Sequence, residues 1–481
     1  SVVDFEHGGG LSNPRIREVD DSGDIENILK EKPHVLDKKE EELLAAASDC
    51  LDAPSSIHNI MTNADMKFGN IKDEDGEEVE LTEGNYSSFI KSKDRNVRKA
   101  AFERLFGEYK SFENTLATTL SNSIKVFNFG AKIRNYNSAL EASLKPNDIP
   151  TEVYTNAVKT INDNLSSLHR YVKLKKKLLG LEEMHMYDLY VPVIEVPKEH
   201  VEFDKAVEMA VEGLNPLGKE YLDIFQGGIN GGWIDKYINK GKRGGAYSWG
   251  GYDTKPYVLL NYNYQLGDVS TLAHELGHAV YEYMSSKNQS YFNSNPSIFT
   301  HEVASTTNEA LLYEMLIKNS ENDQQKAYYI TQYLDLIKDT LYIQTMYAEF
   351  EKTIHELVEN NKSINALVLD DIWGQLLTKY YGKDYELDQL AKVGWSRIPH
   401  FYNSFYVYKY ATGCSAGVSF AQDILKNGSD NYINFLKKGG SDYPINVLKD
   451  AGVNLTSTKP IEDTINKFDS LVKELEKLVS K

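Results

Sequence analysis

Apolar residues recur every three or four positions along most of the chain, the spacing that places them on one face of an α-helix. The clearest stripe lies near the end of the sequence, where Ile461, Ile465, Phe468, Leu471, Val472, Leu475 and Val479 share a face. Near the other end, Asp37 with Glu40 three positions later has the form of a capping box. The pattern predicts further helices over residues 97–130, 150–180, 202–223, 266–286, 299–318, 323–358, 364–380, 402–426 and 461–479.

Patterns typical of β-strands are confined to short segments. Residues 68–71 and 79–81 flank Asp75 and Gly76, which predicts a hairpin. A third extended segment, residues 257–263, follows a glycine-rich run that lacks the Gly-Lys-Ser/Thr ending of a phosphate-binding loop. We therefore expect a mainly α fold with little β-structure.

Composition and charge narrow the classes of partner. The 53 Lys and Arg residues against 71 Asp and Glu residues give a net charge of −18, which repels nucleic acid and anionic lipid. No apolar run is long enough to span a bilayer, and the first residues lack the pattern of a signal peptide. The only cysteines, Cys50 and Cys414, are predicted to be free thiols. These features together predict a cytoplasmic protein without nucleic-acid or membrane partners.

One motif carries specific chemistry. Residues 274–278 read His-Glu-Leu-Gly-His and lie inside a predicted helix. Positions four apart share a helix face, so His274 and His278 can bind one ion. Glu275 is rotated by about 100° around the axis, which makes it a neighbour of the metal and the candidate catalytic base. The alternative, a buried helix whose histidines only form hydrogen bonds, is disfavoured by the glutamate between them.

A catalytic zinc ion takes three protein ligands and keeps a position for water. Glu302, 24 residues after His278, lies in the next predicted helix and is our choice for the third ligand, with Glu309 and His301 as alternatives. Ser305, Asn308 and Glu309 are each candidates for orienting the imidazoles. The donor types alone leave cobalt and manganese open beside zinc.

From about Asp24 onward, the chain resembles the oligoendopeptidase F group of the thimet oligopeptidase-like zinc metallopeptidases. The resemblance is carried by residues 242–250, 252–262, 274–278, 302–306 and 398–402. It implies a two-lobed helical zincin-type body with a deep substrate channel, a small β-sheet near the active site and one catalytic Zn²⁺ ion. It also implies Glu302 as third ligand, and short oligopeptides as substrates because folded proteins cannot enter the channel.

Hydroxyl and imidazole donors concentrate between residues 400 and 410. In the family that the chain resembles, a histidine and tyrosines of this region contact the substrate and the transition state. That likeness makes His400, Tyr406 and Tyr410 our catalytic candidates beside Glu275. The substrate-binding candidates are Gly244, Gly245, Ala246, Tyr257, Leu259 and Tyr408. The strand after the glycine-rich run is expected to pair with an extended peptide substrate.

The chain is expected to divide into three parts: a linker or mobile segment over residues 1–23, an N-terminal helical lobe with the hairpin over 24–95, and a catalytic metallopeptidase domain over 96–481. The function predicted is zinc-dependent endopeptidase activity on oligopeptides. Two alternatives stay open. One is a metal-dependent carboxypeptidase, and the other is a helical scaffold that binds peptides without cutting them.

Overall fold

Short helices and a hairpin form the first part of the fold. The computed structural model describes residues 29–195 and 200–480, so the expected segment 1–23 lies outside the described residues. The capping box is confirmed, because the Asp37 side chain accepts from Glu40 N at 2.9 Å while the Glu40 side chain accepts from Asp37 N at 3.2 Å. The elements are α1 (Lys38–Leu51), α2 (Ala53–Ile60), β1 (Asn70–Lys72), β2 (Glu78–Glu80) and α3 (Glu83–Phe89). The antiparallel pairing of β1 with β2 confirms the hairpin.

Three of the long predicted helices are broken in the middle. Residue Phe112 interrupts 97–130, residues 164–165 interrupt 150–180, and residues 215–218 interrupt 202–223, ending with Gly218 at φ 84°. Both halves of each pair bury apolar residues, so the apolar spacing continues across the break and hides it. The helices are α4 (Arg95–Ser111), α5 (Glu113–Ile133), α6 (Ala139–Leu144), α7 (Thr151–Asp163), α8 (Ser166–Leu178), α9 (Phe203–Leu214) and α10 (Lys219–Asn230).

The second half of the chain is also helical. The predicted helix 323–358 is helical throughout but contains a π-helical segment at Lys338–Ile343. The predicted helix 402–426 begins only at Tyr408, since Phe405 takes φ 59° and Pro399–Tyr402 forms a separate turn of 3₁₀-helix. The helices are α11 (Leu266–Asn288), α12 (Ile298–Lys318), α13 (Asp323–Ile337), α14 (Gln344–Glu359), α15 (Ala366–Tyr381), α16 (Tyr408–Asn427), α17 (Asp430–Lys438), α18 (Pro444–Asp450) and α19 (Lys459–Val479).

A three-stranded sheet packs beside α11. It consists of β3 (Ile234–Tyr237), β4 (Tyr247–Trp249) and β5 (Tyr257–Tyr262) in the order β3-β5-β4. The central strand β5 is parallel to β3 and antiparallel to β4, and only β5 was predicted from the sequence. β3 and β4 lack fully buried residues, so their hydrophobic signal is weak. The mainly α class with a small sheet is confirmed.

The helices that carry the chemistry approach each other unusually closely. A Cβ placed on Gly277 of α11 would stand 2.8 Å from the Ser305 Cα of α12. Likewise, a Cβ on Gly413 of α16 would stand 2.9 Å from the Glu302 Cβ of α12. Since real Cβ atoms do not approach so closely, both contacts require glycine. They place α12 between α11 and α16.

Two further sequence predictions concern the cysteines and the absence of a membrane span. Cys50 is exposed and Cys414 is buried, and both are free, as predicted. Among the helices of the described residues, none combines the length and the apolar character that crossing a bilayer requires.

Substituting Gly277→Ala tests the tight contact between α11 and α12. The added methyl group is expected to lower the free energy of unfolding by about 1–3 kcal/mol, the usual range for overpacking. Gly130→Ala in α5 is the matched control, because a Cβ there meets no atom within 4 Å. It should raise stability by about 0.4–1 kcal/mol, since alanine reduces the entropy of the unfolded chain. Thermal unfolding of both variants measures the difference, and equal effects would contradict it.

Candidate active site

Three side chains on two packed helices converge at the middle of the fold. α11 contributes His274 and His278, whose ring centroids are 4.9 Å apart, and α12 contributes Glu302. The Glu302 Oε2 atom lies 3.7 Å from His274 Nε2 and 4.0 Å from His278 Nε2. One ligand atom from each residue lies within 4.8 Å of the others, and within residues 29–195 and 200–480 no other such cluster of His, Cys, Asp or Glu occurs.

This donor set fits a divalent cation. Two imidazole nitrogens and one carboxylate oxygen are the protein ligands of many catalytic zinc sites. Ligand atoms bound about 2.1 Å from a tetrahedral ion are roughly 3.4 Å apart. The observed separations of 3.7 and 4.0 Å are slightly larger, so small side-chain movements close the cluster around an ion.

Of the three residues considered for orienting the imidazoles, Glu309 lies at the required position. His274 Nδ1 donates to Glu309 Oε2 at 2.9 Å, while Ser270 Oγ donates to Glu309 Oε1 at 2.9 Å. This pairing leaves His274 Nε2 directed toward Glu302. The geometry therefore gives Glu309 an orienting position, not a place among the ligand atoms.

The two remaining orienting candidates have other partners. Asn308 accepts from Tyr221 OH at 2.9 Å and donates to the Ala273 carbonyl at 2.8 Å, contacts that join helices. Ser305 Oγ donates to the Glu302 carbonyl at 3.1 Å and lies 3.3 Å from its carboxylate. Ser305 therefore touches the candidate third ligand, whereas Asn308 serves packing.

His301, the other alternative for the third ligand, lies beside the cluster. Its ring packs 5.7 Å from the ring of His278 and 5.6 Å from that of Tyr281, and it does not belong to the converging set. Burial lowers the pKa of His301 to about 4. It is therefore a neutral packing neighbour in this arrangement.

Burial and like charges shift the ionisation of the cluster. Desolvation raises the pKa of Glu275 to about 7, and the nearby carboxylates of Glu302 and Glu309 act in the same direction. Burial alone would lower the pKa of His274, but Glu309 and then Glu302 outweigh it and raise that pKa to about 9. Three acidic groups thus surround the imidazole pair, which favours a cation at this point.

A cavity of about 430 Å³ opens over the cluster. Glu275 lines it beside both histidines and Glu302, and among the described residues the Glu275 Oε2 atom has no hydrogen-bond partner. The predicted residues Ala246 and Tyr410 line it as well. Sequence reasoning missed other lining residues, namely Tyr247, Ser248, Thr306, Leu336 and Thr340. For Tyr247 and Ser248 a signal existed in the alternating Tyr-Ser-Trp of β4, which the flanking glycines obscured.

Of the three aromatic candidates between residues 400 and 410, Tyr410 lines this cavity, and His400 and Tyr406 pack against the Tyr410 ring. The rings of His400 and Tyr406 are 5.9 Å apart, those of His400 and Tyr410 6.0 Å, and those of Tyr406 and Tyr410 5.5 Å. The helix predicted over residues 402–426 includes both tyrosines, but in the structure Tyr406 precedes α16. A buried carboxyl group holds the irregular turn, since Glu351 Oε1 accepts from Phe405 N at 2.7 Å.

Tyr408 does not occupy the position predicted for it. The residue is 2% exposed, and its ring packs 5.1 Å from Tyr154 and 6.0 Å from Phe299. The Tyr408 side chain therefore lies in the core, between α7 and α12. The structure therefore corrects the assignment of Tyr408 as a substrate-binding residue.

The strand that was expected to pair with a peptide substrate is the central strand of the sheet. Tyr257 and Leu259 lie on β5, whose two edges are already paired with β3 and β4, so a peptide cannot add to that strand. The outer strands are β3 and β4, and of these two β4 contributes residues to the cavity lining. Gly244 and Gly245 are exposed in the loop before β4, which Asn261 anchors by donating to the Gly245 carbonyl at 2.7 Å.

Comparisons with known proteins identify the family of this chain. The sequence profile of peptidase family M3 matches residues 88–467. The chain belongs to peptidase family M3. A second profile, described as oligopeptidase F, matches residues 23–68. The predicted boundary at residues 95 and 96 stays a prediction.

Individual members of the M3 family are similar over nearly the whole chain. Oligopeptidase PepF of Bacillus subtilis is 47% identical over 460 residues, which make up 95% of this chain and 69% of that protein. Group B oligopeptidase PepB of Streptococcus agalactiae is 41% identical and covers 95% of this chain and 76% of its own length. The crystal structure of oligoendopeptidase-F from Enterococcus faecium superimposes with a TM-score of 0.80 at 39% identity, covering 95% of this chain and 77% of that one. The resemblance to the oligoendopeptidase F group and the metalloendopeptidase class are thereby confirmed.

Glu309→Gln tests the orienting position within this M3 peptidase. Loss of the negative charge behind His274 should weaken zinc binding by about 10–100-fold, as is typical when such a partner is removed. Glu321→Gln, an exposed substitution that removes the same charge, should bind zinc like the wild type. Competition with a fluorescent zinc chelator measures both. Unchanged affinity in Glu309→Gln would show that Glu309 does not hold the imidazole.

Proposed function

We propose that this chain is a zinc-dependent endopeptidase that hydrolyses short oligopeptides. The observation that carries the proposal is the convergence of His274, His278 and Glu302 on one point, with Glu275 lining the same cavity. Membership in peptidase family M3 supports the reaction class. Names of relatives such as oligopeptidase PepF support oligopeptides as the substrates.

The proposed ligands are His274, His278 and Glu302, and Glu309 keeps the His274 ring in position. When bound there, zinc supplies Lewis acidity that acidifies water and polarises the scissile carbonyl group. Glu275 accepts the proton of the attacking water on a carboxylate oxygen and then delivers it to the nitrogen of the leaving amine. Glu275 is 7% exposed, so most of its side chain is shielded from bulk water.

Tyr410 is the proposed donor to the oxyanion that forms on the attacked carbonyl. Its side chain lines the cavity, and burial raises the pKa of its hydroxyl, so the proton needed for donation is retained. His400 and Tyr406 pack against Tyr410 and are proposed to position it or the substrate. Ala246 and the free edge of β4 offer backbone groups to an extended peptide at the cavity wall.

The carboxypeptidase alternative makes a different prediction for a peptide blocked at both ends. An endopeptidase needs neither terminus, so the wild-type protein should cleave an internally quenched peptide of about eight residues that is acetylated and amidated. Mass spectrometry of the products should place the cut inside the sequence. An intact blocked peptide, together with removal of residues from the end of a free one, would favour the exopeptidase.

Glu275→Gln tests the proton-transfer role directly. The amide cannot accept a proton, so kcat is expected to fall by several orders of magnitude, about 10²–10⁴-fold or more, while zinc is retained. Glu282→Gln is the matched control, because Glu282 lies on the same helix and burial likewise raises its pKa to about 7, yet it does not line the cavity.

The same assays should show that a chelator abolishes activity and that added zinc restores it. Activity that survives complete removal of metal, or near-normal turnover by Glu275→Gln, would contradict the proposal.

A further inference from the structure

One cation close to the cavity has no charged partner among the described residues. Lys409, the second residue of α16, is partly buried, and no hydrogen bond or ion pair links its ammonium group to those residues. Burial lowers the pKa of Lys409, and no neighbouring carboxylate opposes that effect. By contrast, the buried Lys338 has Asp335 at 3.0 Å and Asp339 at 3.4 Å. An uncompensated, partly desolvated ammonium group is unfavourable unless something else neutralises it.

The position of Lys409 relates it to the candidate active site. Its Nζ atom lies 5.2 Å from the centre of the Tyr406 ring, and the Tyr406 ring is 5.5 Å from that of Tyr410, which lines the cavity. Gly413, one helical turn further along the same face of α16, is in contact with Glu302. Lys409 therefore lies beside the aromatic cluster, on the helix face turned toward the candidate metal ligands.

The surrounding charge indicates what Lys409 can bind. The chain has a net charge of −18, and Glu275, Glu302 and Glu309 line the cavity, so a substrate carboxylate is repelled by these acidic groups. Lys409 supplies the opposite charge where partial burial strengthens the interaction. The Tyr406 ring offers only the weaker attraction of a π face. A substrate carboxylate is therefore the group that can form an ion pair with the Lys409 ammonium group.

We propose that Lys409 binds a carboxylate of the peptide substrate and thereby selects peptides whose negatively charged group falls a short distance from the cleaved bond. This inference rests on the proposed peptidase function and adds a specificity residue to it. The free C-terminal carboxylate of a short peptide and an acidic side chain share the required chemistry. The contact acts on binding, since the carboxylate lies away from the reacting atoms.

Three internally quenched peptides with one cleavable sequence test the proposal: a free C-terminal acid, the corresponding amide, and the amide with aspartate near its C-terminus. The full-length wild-type protein should favour at least one carboxylate-bearing peptide over the plain amide by about tenfold in kcat/KM, mainly through KM. Preference for the free acid or for the aspartate peptide identifies the source of the carboxylate. The preference should shrink as salt is raised.

Lys409→Met keeps the apolar stem of the side chain but removes the charge. It should reduce the preference to within about twofold by slowing only the carboxylate-bearing peptides. Lys409→Arg should retain the preference. Lys426→Met removes an exposed lysine of the same helix and should behave like the wild type. Unfolding curves identify any variant that fails to fold.

Two results would overturn the inference while leaving peptidase function intact. One is a wild-type protein that cleaves all three peptides equally well. The other is a Lys409→Met variant that slows all three by the same factor while Lys409→Arg does not restore the preference, which would assign Lys409 a structural role. Failure of the wild type to cleave any of the peptides overturns the proposed function together with this inference.

Discussion

The close contact between α11 and α12 is the constraint on which the candidate site depends. Gly277 lies between the two histidine positions and the point where α12 crosses, and the absence of a side chain there lets the helices approach to backbone distance. Only at that separation does a carboxylate on α12 reach two imidazoles on α11. A second glycine, Gly413, brings α16 against Glu302 from the other side. Tyr410, in the first turn of α16, is thereby placed at the same cavity.

Buried carboxylates dominate the charge around the candidate metal ligands. Carboxylates outnumber the basic groups around His274, and burial keeps water from screening them. Such an arrangement is unfavourable for the protein groups alone and favourable around a divalent cation. Glu309 has two effects. Its hydrogen bond orients the His274 ring, and its carboxylate adds negative charge beside that ring. Lys409 lies near this acidic centre, and its ammonium group has no carboxylate partner among the described residues.

Local spacing predicted the parts of this arrangement that depend on one helix. The His-Glu-x-x-His pattern fixes which side chains share a face of α11, and the next helix in the chain is the natural source of the third candidate ligand. Features that depend on tertiary packing were harder to predict. The break at Phe112 leaves the apolar spacing intact, and the flanking glycines obscure the short alternation of β4. Tyr408 was misplaced because the turn at Phe405 is held by Glu351, which is distant in sequence.

Anomalous diffraction at the zinc edge from crystals of the zinc-loaded protein tests the central geometric claim most directly. We expect a single strong peak between α11 and α12, with one nitrogen each of His274 and His278 and a Glu302 carboxylate oxygen at about 2.0–2.2 Å from the ion. An ion bound elsewhere, or an ion held by the histidines while Glu302 stays beyond bonding distance, would contradict it.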